Sequence, residues 1–132
     1  MDTRDKSDAR MSIAEPFKEG LGHQIVRYQV CETCAYVQTL ARYACQRCGN
    51  SRMVWRDASG NGTVRAVTVV ARAPSEDFRP LAPYTLVLVQ LDEGPRLMAH
   101  AEPGIQIGAR VTATVFEYVG RPLLRFVRSE QR

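Results

Sequence analysis

The four cysteines are the residues whose type and spacing most clearly predict chemistry. They form two Cys-x-x-Cys pairs, Cys31/Cys34 and Cys45/Cys48, separated by ten residues. Two intervening residues let both sulfurs of a pair converge on one point, so two pairs complete a tetrahedral four-thiolate site. Gly49, directly after the second pair, suits the tight turn of such a knuckle. The spacing therefore predicts a structural metal site, with zinc favoured over a rubredoxin-type iron of the same ligand geometry.

Three other interpretations of the cysteines remain open: two disulfides, a redox Cys-x-x-Cys motif, or unrelated core cysteines. A redox motif would not need a second copy ten residues further on, and the cysteines of a cytoplasmic protein are seldom disulfide-bonded. A closed four-thiolate site leaves no open coordination position for a substrate. We therefore expect the cysteines to be structural and none of them to be catalytic.

No catalytic constellation accompanies the cysteines. His23 and His100 lie in different segments without a nearby serine or free cysteine to activate, so both are interpreted as structural or surface residues. The acidic pairs at 76–77 and 92–93 fall in predicted loops, where carboxylates are usually solvated. Gly60-Asn61-Gly62 lacks the third glycine of a dinucleotide fingerprint and precedes a strand, which indicates a turn. The chain alone is not expected to be an enzyme.

Three segments must position the cysteines. Residues 1–29 are predicted to form a frayed tail over 1–13, a short helix over 15–22 that Gly20 and Gly22 end, and a lead-in strand. Residues 30–56 are predicted to form the metal ribbon, and residues 57–132 a small β domain. The predicted fold class is therefore mainly β, with one short helix, a rubredoxin-like zinc ribbon and a barrel.

The third segment has the pattern of a five-stranded barrel. Short β-rich runs follow one another without intervening helices, separated by glycine- and proline-rich turns, which favours an OB-type barrel. The fourth run alternates, with Val111, Ala113 and Val115 on one side. The predicted strands are Thr63–Val70, Tyr84–Leu91, Arg96–Ala101, Val111–Tyr118 and Leu123–Val127.

Composition and charge narrow the choice of partners. The 132 residues carry a formal net charge of +4, and the excess lies in residues 21–56. If the four cysteines bind one divalent ion as thiolates, the net charge of the chain falls to about +2. The second and third predicted barrel strands offer only Tyr84 and Arg96 for a stacking, basic groove, and the remaining aromatic residues are interpreted as core or ribbon residues. A nucleic-acid-binding OB module is therefore the alternative, not the first hypothesis.

Membrane insertion and secretion are not predicted. The longest apolar run, Leu86 to Val89, is far too short to span a bilayer. The N-terminal residues carry charges of both signs and lack the apolar region of a signal peptide. We expect a cytoplasmic protein with no membrane partner.

The ordered series of motifs resembles the DUF35 family of zinc-ribbon OB-fold proteins. The series comprises the cysteine ribbon, Trp55, SGNGTVRAVTVVARAP, PYTLVLVQLDEGPRL and IGARVTATVFEYVGRPLLRF, and it spans about residues 17–126. The sequence departs from the family pattern at three places in the ribbon. Ala35 stands where glycine is usual, Leu40-Ala41-Arg42 replaces a proline-rich step, and Gln46 replaces a common proline.

The resemblance implies both a fold and a role. The implied fold is an N-terminal helix, a zinc ribbon and an OB barrel. Family members resemble small partner subunits of thiolase-superfamily enzymes and of related aldolases that act on acyl-CoA, in which the partner supplies the catalytic residues. The proline-rich loop 72–83 is semi-rigid and could present an aromatic anchor and a cation to the partner or to a CoA phosphate; Phe78 could instead tuck back on the barrel. The candidate contacts are Arg65, Arg72, Phe78 and Arg79.

Overall fold

The computed structural model describes residues 12–39 and 41–129. A 3-10 turn, Ser12–Ala14, leads into helix α1, Glu15–Gly22, which confirms the helix predicted over these residues. Pro16 lies in the first turn, where its missing N–H leaves no hydrogen bond unmade. The predicted frayed tail spans residues 1–13; residues 1–11 lie outside the described residues, whereas residues 12 and 13 belong to the 3-10 turn, contrary to the prediction.

Gly20 does not end the helix, contrary to the prediction. It lies in the last turn of α1 and is buried, and a Cβ atom there would come within 2.8 Å of the Ile25 carbonyl oxygen. The chain reverses immediately afterwards, and the Ile25 amide donates to the Gly20 carbonyl at 2.7 Å. Gly20 therefore allows the close approach of the returning chain, and the helix ends at Gly22.

The ribbon is a three-stranded antiparallel sheet. Strand β1 spans Arg27–Cys31, β2 spans Val37–Gln38 and β3 spans Met53–Asp57, in the order β2-β1-β3. The central strand ends at Cys31, so the sheet itself delivers the first cysteine to the end of the ribbon.

The remaining strands close into a five-stranded mixed barrel of OB-like form. The order is β4-β5-β6-β8-β7, with β6 and β8 parallel and the other pairs antiparallel. All five predicted strands are confirmed, with ends that differ by two residues at most. The observed strands are β4 Asn61–Val70, β5 Tyr84–Leu91, β6 Arg96–Ala101, β7 Arg110–Tyr118 and β8 Arg121–Arg128.

The core fills the barrel and extends to the N-terminal helix. Phe126 and Val111 are fully buried, and Ala113 and Val115 pack against the same cluster, so the side of β7 that carries Val111, Ala113 and Val115 faces the core. Leu21 of α1 and the neighbouring Val26 belong to this cluster as well, so the segment before the ribbon and the barrel share one core. Among the described residues, no helix is long and apolar enough to cross a membrane.

The β5–β6 turn fixes the ribbon against the barrel. Glu93 accepts a hydrogen bond from the Ser59 amide at 2.8 Å, and a Cβ atom on Gly94 would lie 3.2 Å from Val37 in the ribbon. Asp92 forms a two-pronged ion pair with Arg110 at 2.8 Å, and these hydrogen bonds lower the pKa of the Asp92 carboxyl. The pair at 92–93, interpreted from the sequence as solvated loop acids, therefore connects structural elements.

Candidate metal centre and barrel surface

Two similar turns present the four cysteines. In the first, the Ala35 amide donates to the Cys31 carbonyl at 2.8 Å; in the second, the Gly49 amide donates to the Cys45 carbonyl at 2.9 Å. Each turn also directs two backbone amides at its first sulfur, at 3.4 and 3.5 Å on Cys31 and at 3.3 and 3.4 Å on Cys45. The repeated spacing in the sequence thus folds as a repeated knuckle.

The four sulfurs converge on one point. All lie within 4.8 Å of one another, and the sulfurs of Cys31 and Cys48, like those of Cys34 and Cys45, are 3.6 Å apart. A tetrahedral zinc–thiolate site places its sulfurs about 3.8 Å apart, whereas a disulfide requires about 2.05 Å. All four cysteines are free, so the set has the geometry and the donor chemistry to hold a metal ion.

The environments of the sulfurs favour different protonation states. The hydrogen bond from the Cys34 amide is the main cause that lowers the pKa of Cys31 to about 6. Desolvation raises the pKa of Cys45, but the amides of its own knuckle outweigh it and the net shift is downward. The Asn50 amide lowers the pKa of Cys48, yet desolvation and the neighbouring sulfurs raise it to about 11. Four thiolates this close therefore need a cation between them.

Two buried glutamines, whose role no local sequence pattern indicates, hold the ribbon around the site. Gln29 and Gln38 are 3% and 4% exposed and are paired across β1 and β2. The Gln38 side chain donates to Gln29 at 3.0 Å, and Gln29 bonds both backbone groups of Arg42. The Gln46 amide, one residue after Cys45, donates to Gln38 at 3.2 Å. The network therefore positions the second knuckle, as outer hydrogen bonds commonly do around metal sites.

The two knuckles differ at one equivalent position, which leads to a stability prediction. Ala35 has φ +67° and Gly49 has φ +81°, in the left-handed region that glycine adopts without strain. We expect Ala35→Gly to raise the free energy of unfolding and Gly49→Ala to lower it, each by about 1 kcal/mol. Urea unfolding of the metal-loaded protein measures both changes, and shifts of the same sign for the two variants would contradict the expectation.

The candidate contacts from the sequence do not form one site. Arg72 and Arg79 line a single cavity of about 490 Å³ together with three alanines of the segment between β4 and β5. Arg79 also lies 3.6 Å from Glu76, whereas Arg72 has no ion-pair partner among the described residues. Arg65 is exposed on β4, at the irregularity in its pairing with β5, and does not line this cavity. Phe78 packs back onto the barrel.

Five aromatic rings cluster on the outer surface of the barrel. Phe78 stacks on Tyr118 and His100, with ring centroids 5.3 and 5.9 Å apart. Phe116 and Tyr118 lie outside the buried core, contrary to their interpretation from the sequence, because they alternate with the inward residues of β7. This alternation was the signal that could have identified them. The cluster comprises Phe78, Tyr84, His100, Phe116 and Tyr118.

His100 sits at the centre of this cluster as a neutral ring. The centroid of its ring lies 5.0 Å from that of Tyr84 and 5.8 Å from that of Phe116, and the Phe116 ring is perpendicular to the imidazole. Desolvation and the nearby Arg125 charge lower the pKa of His100, so the imidazole is uncharged at neutral pH. Arg125 in turn lies over the Phe116 ring, 5.4 Å from its centroid. The surface is thus both aromatic and basic.

Comparisons with known proteins agree with this architecture. The family model of the C-terminal OB-fold domain of ChsH2 matches residues 55–116. A chain of the solved complex described as the Ltp2-ChsH2(DUF35) aldolase is 26% identical, with a TM-score of 0.75 over 87% of this chain and 93% of that chain. A DUF35 protein of unknown function from Sulfolobus solfataricus, 17% identical, has the same fold, with a TM-score of 0.64 over 98% of this chain and 100% of that one. The resemblance to the DUF35 family that the sequence motifs indicate is thus supported by a family model and by two solved structures.

Proposed function

We propose that the protein is a non-catalytic accessory subunit of an enzyme complex that acts on acyl-CoA, with an aldolase or thiolase-like chain as its catalytic partner. The observation that carries the proposal is the likeness to a chain of the solved Ltp2-ChsH2(DUF35) aldolase, which extends over 87% of this chain at 26% identity. An aldolase partner is favoured because that solved complex is itself an aldolase.

The chemistry of the described residues supports a scaffolding role. The four cysteines form a closed set of ligands, and the two histidines lie apart from them, His23 after α1 and His100 on the barrel surface. Zinc is the proposed ion because a four-thiolate set suits a closed structural site. Held by Cys31, Cys34, Cys45 and Cys48, it would cross-link the two knuckles and stabilise the ribbon.

A contact with CoA is the finer part of the proposal. The cavity that Arg72 and Arg79 line offers two guanidinium groups, which suit phosphate oxygens. The phosphate groups at the nucleotide end of CoA would suit this cavity.

Charge removal at the cavity should weaken CoA binding. In the complex with its catalytic partner, we expect the double variant Arg72→Ala/Arg79→Ala to bind CoA at least about tenfold more weakly, because two charge-assisted hydrogen bonds are lost. Calorimetric titration with CoA measures the change. Arg121→Ala, an exposed arginine on β8, is the matched control and should bind CoA like the wild type. Equal affinities for all three proteins would exclude this cavity as the phosphate contact.

Co-purification tests the subunit proposal. The tagged chain, co-expressed with an aldolase or thiolase-like protein from the same genome, should elute with that protein as one species through affinity and size-exclusion steps. Recovery of the tagged chain alone, with the soluble candidate partner in the flow-through, would contradict the proposal.

A nucleic-acid-binding module is the second candidate, and the aromatic surface with Arg125 is the observation in its favour. Base stacking on exposed rings in a basic groove is how single strands are commonly bound. Phe78 already occupies a stacking position on two of the rings, which argues against it. Binding to single-stranded DNA and RNA that weakens steeply with added salt would favour this candidate.

A further inference from the structure

One edge of the barrel wall is left open by the strand pairing. Strand β4 pairs with β7 only over residues 61–63, and the loop before β7 then bonds Val64 at 3.0 and 2.8 Å. After the irregularity between Val64 and Ala66, the five residues 66–70 have only β5 beside them among the described residues. In an antiparallel ladder, alternate N–H and C=O groups point away from the paired strand. Those of residues 66–70 therefore face outward without a strand to bond.

The side chains along this open edge suit strand addition. Residues 66–70 read Ala-Val-Thr-Val-Val, and β-branched residues of this kind favour extended pairing. Val69 is 62% exposed. Natural edge strands are commonly protected by lysine, proline or a covering segment. Residues 66–70 contain neither lysine nor proline, so this edge is available to pair with another strand.

The charges at the two ends of this edge indicate which kind of strand can pair with it. Arg65 and Arg72 flank the open residues, and no acidic residue occurs between positions 64 and 75. Two copies of the chain paired through this edge would bring four guanidinium groups together, and like charges across strands are destabilising. Neither arginine has an ion-pair partner among residues 12–39 and 41–129. The edge therefore fits an extended segment of a different chain, with a carboxylate opposite Arg65.

We propose that the catalytic subunit adds an extended, apolar segment to residues 66–70 of β4, so that the barrel sheet continues into the partner. Backbone hydrogen bonds along the edge supply the affinity, and Val69 and Arg65 supply the side-chain recognition. This assignment rests on the proposed function, since it requires a catalytic partner. It gives Arg65, which lies away from the Arg72/Arg79 cavity, a partner-contacting role.

The test compares two exposed valines in the co-expressed complex. Lysine on an edge strand opposes pairing, so Val69→Lys should weaken the affinity for the catalytic subunit at least about tenfold. Val119→Lys is the matched control, because Val119 is 60% exposed and lies in the β7–β8 turn, and it should change the affinity less than about twofold. Hydrogen exchange of the wild-type complex should show slowed amide exchange at residues 66–70 relative to the free chain. The thermal midpoint of each free variant verifies that it folds.

The outcomes separate this proposal from the proposed function. A wild-type complex that forms with unchanged amide exchange at residues 66–70, and with equal affinity for Val69→Lys, overturns the edge assignment and leaves the accessory role standing. A wild-type chain that forms no complex with the catalytic subunit overturns both. Slowed exchange at residues 66–70 together with selective weakening by Val69→Lys supports both.

Discussion

Replacing Cys45 by serine is expected to reduce the bound metal from one ion per chain to a small fraction of that value and to unfold the ribbon. Cys45 is 4% exposed and its sulfur lies 3.6 Å from that of Cys34, so a hydroxyl group there removes one of four ligands without a substitute. The ribbon sheet has strands of only five, two and five residues. A unit this small depends on its metal for stability. We expect Cys45→Ser to lower the free energy of unfolding of the ribbon by more than about 4 kcal/mol.

Metal analysis and amide exchange measure this result. The wild-type protein should contain about one zinc ion per chain and should be colourless, whereas a red-brown protein would carry iron. Thr33→Ser is the control, because Thr33 is exposed within the first knuckle and does not belong to the ligand set; it should keep the metal and the exchange protection. A Cys45→Ser variant that retains stoichiometric metal and wild-type protection of the ribbon would contradict the structural role of the site.

Gly62→Ala should destabilise the barrel by about 3 kcal/mol, because the new side chain has no space. A Cβ atom at Gly62 would lie 2.6 Å from the Gln90 carbonyl oxygen and 2.6 Å from a methyl group of Val89. Gly62 pairs with β5 on one side and with Val111 of β7 on the other, so neither neighbour can yield without disturbing the barrel closure. Equilibrium unfolding in guanidinium chloride measures the loss as a lower midpoint at constant slope.

Gly22→Ala is the matched control for this prediction. A Cβ atom at Gly22 would meet nothing within 4 Å, and the residue ends α1. Its unfolding midpoint should therefore stay close to that of the wild type or rise slightly, since alanine is the better helix former. Equal unfolding midpoints for Gly62→Ala and Gly22→Ala would show that β4 and β5 at Gly62 are packed less closely than in the structure. Gly62, the second glycine of the SGNGTV motif, would then have no packing role.

The sequence predicted those parts of the fold that depend on local patterns. Alternation on β7 placed Val111, Ala113 and Val115 on one side of the strand, and each of them lies in or against the core. The two cysteine pairs predicted a convergence that the four sulfurs show. Both patterns are short-range, because alternation follows from the strand repeat and the knuckle from two intervening residues.

The features that were missed depend on contacts between distant segments. Gly20 resembles a helix stop in sequence, but its role comes from the returning chain at Ile25. From the sequence, Gln29 and Gln38 resemble polar surface residues. Their burial and their mutual hydrogen bond arise only because β1 and β2 pair in the observed register. The aromatic cluster likewise draws its five rings from three strands and the loop before β5. Alternation along β7 indicates that Phe116 and Tyr118 lie on the side opposite the core. No local pattern indicates which groups meet, because each group acquires its partner only through the tertiary fold.

Reconstitution of activity tests the central claim, the accessory role, most directly. The purified chain, its purified catalytic partner and the 1:1 mixture would be assayed for carbon–carbon bond cleavage or formation on an acyl-CoA. We expect no turnover from this chain alone, little from the partner, and an increase of at least about tenfold in kcat/KM for the mixture, since an obligate subunit completes the active assembly. Full activity of the partner without this chain, or activity of this chain alone, would contradict the account.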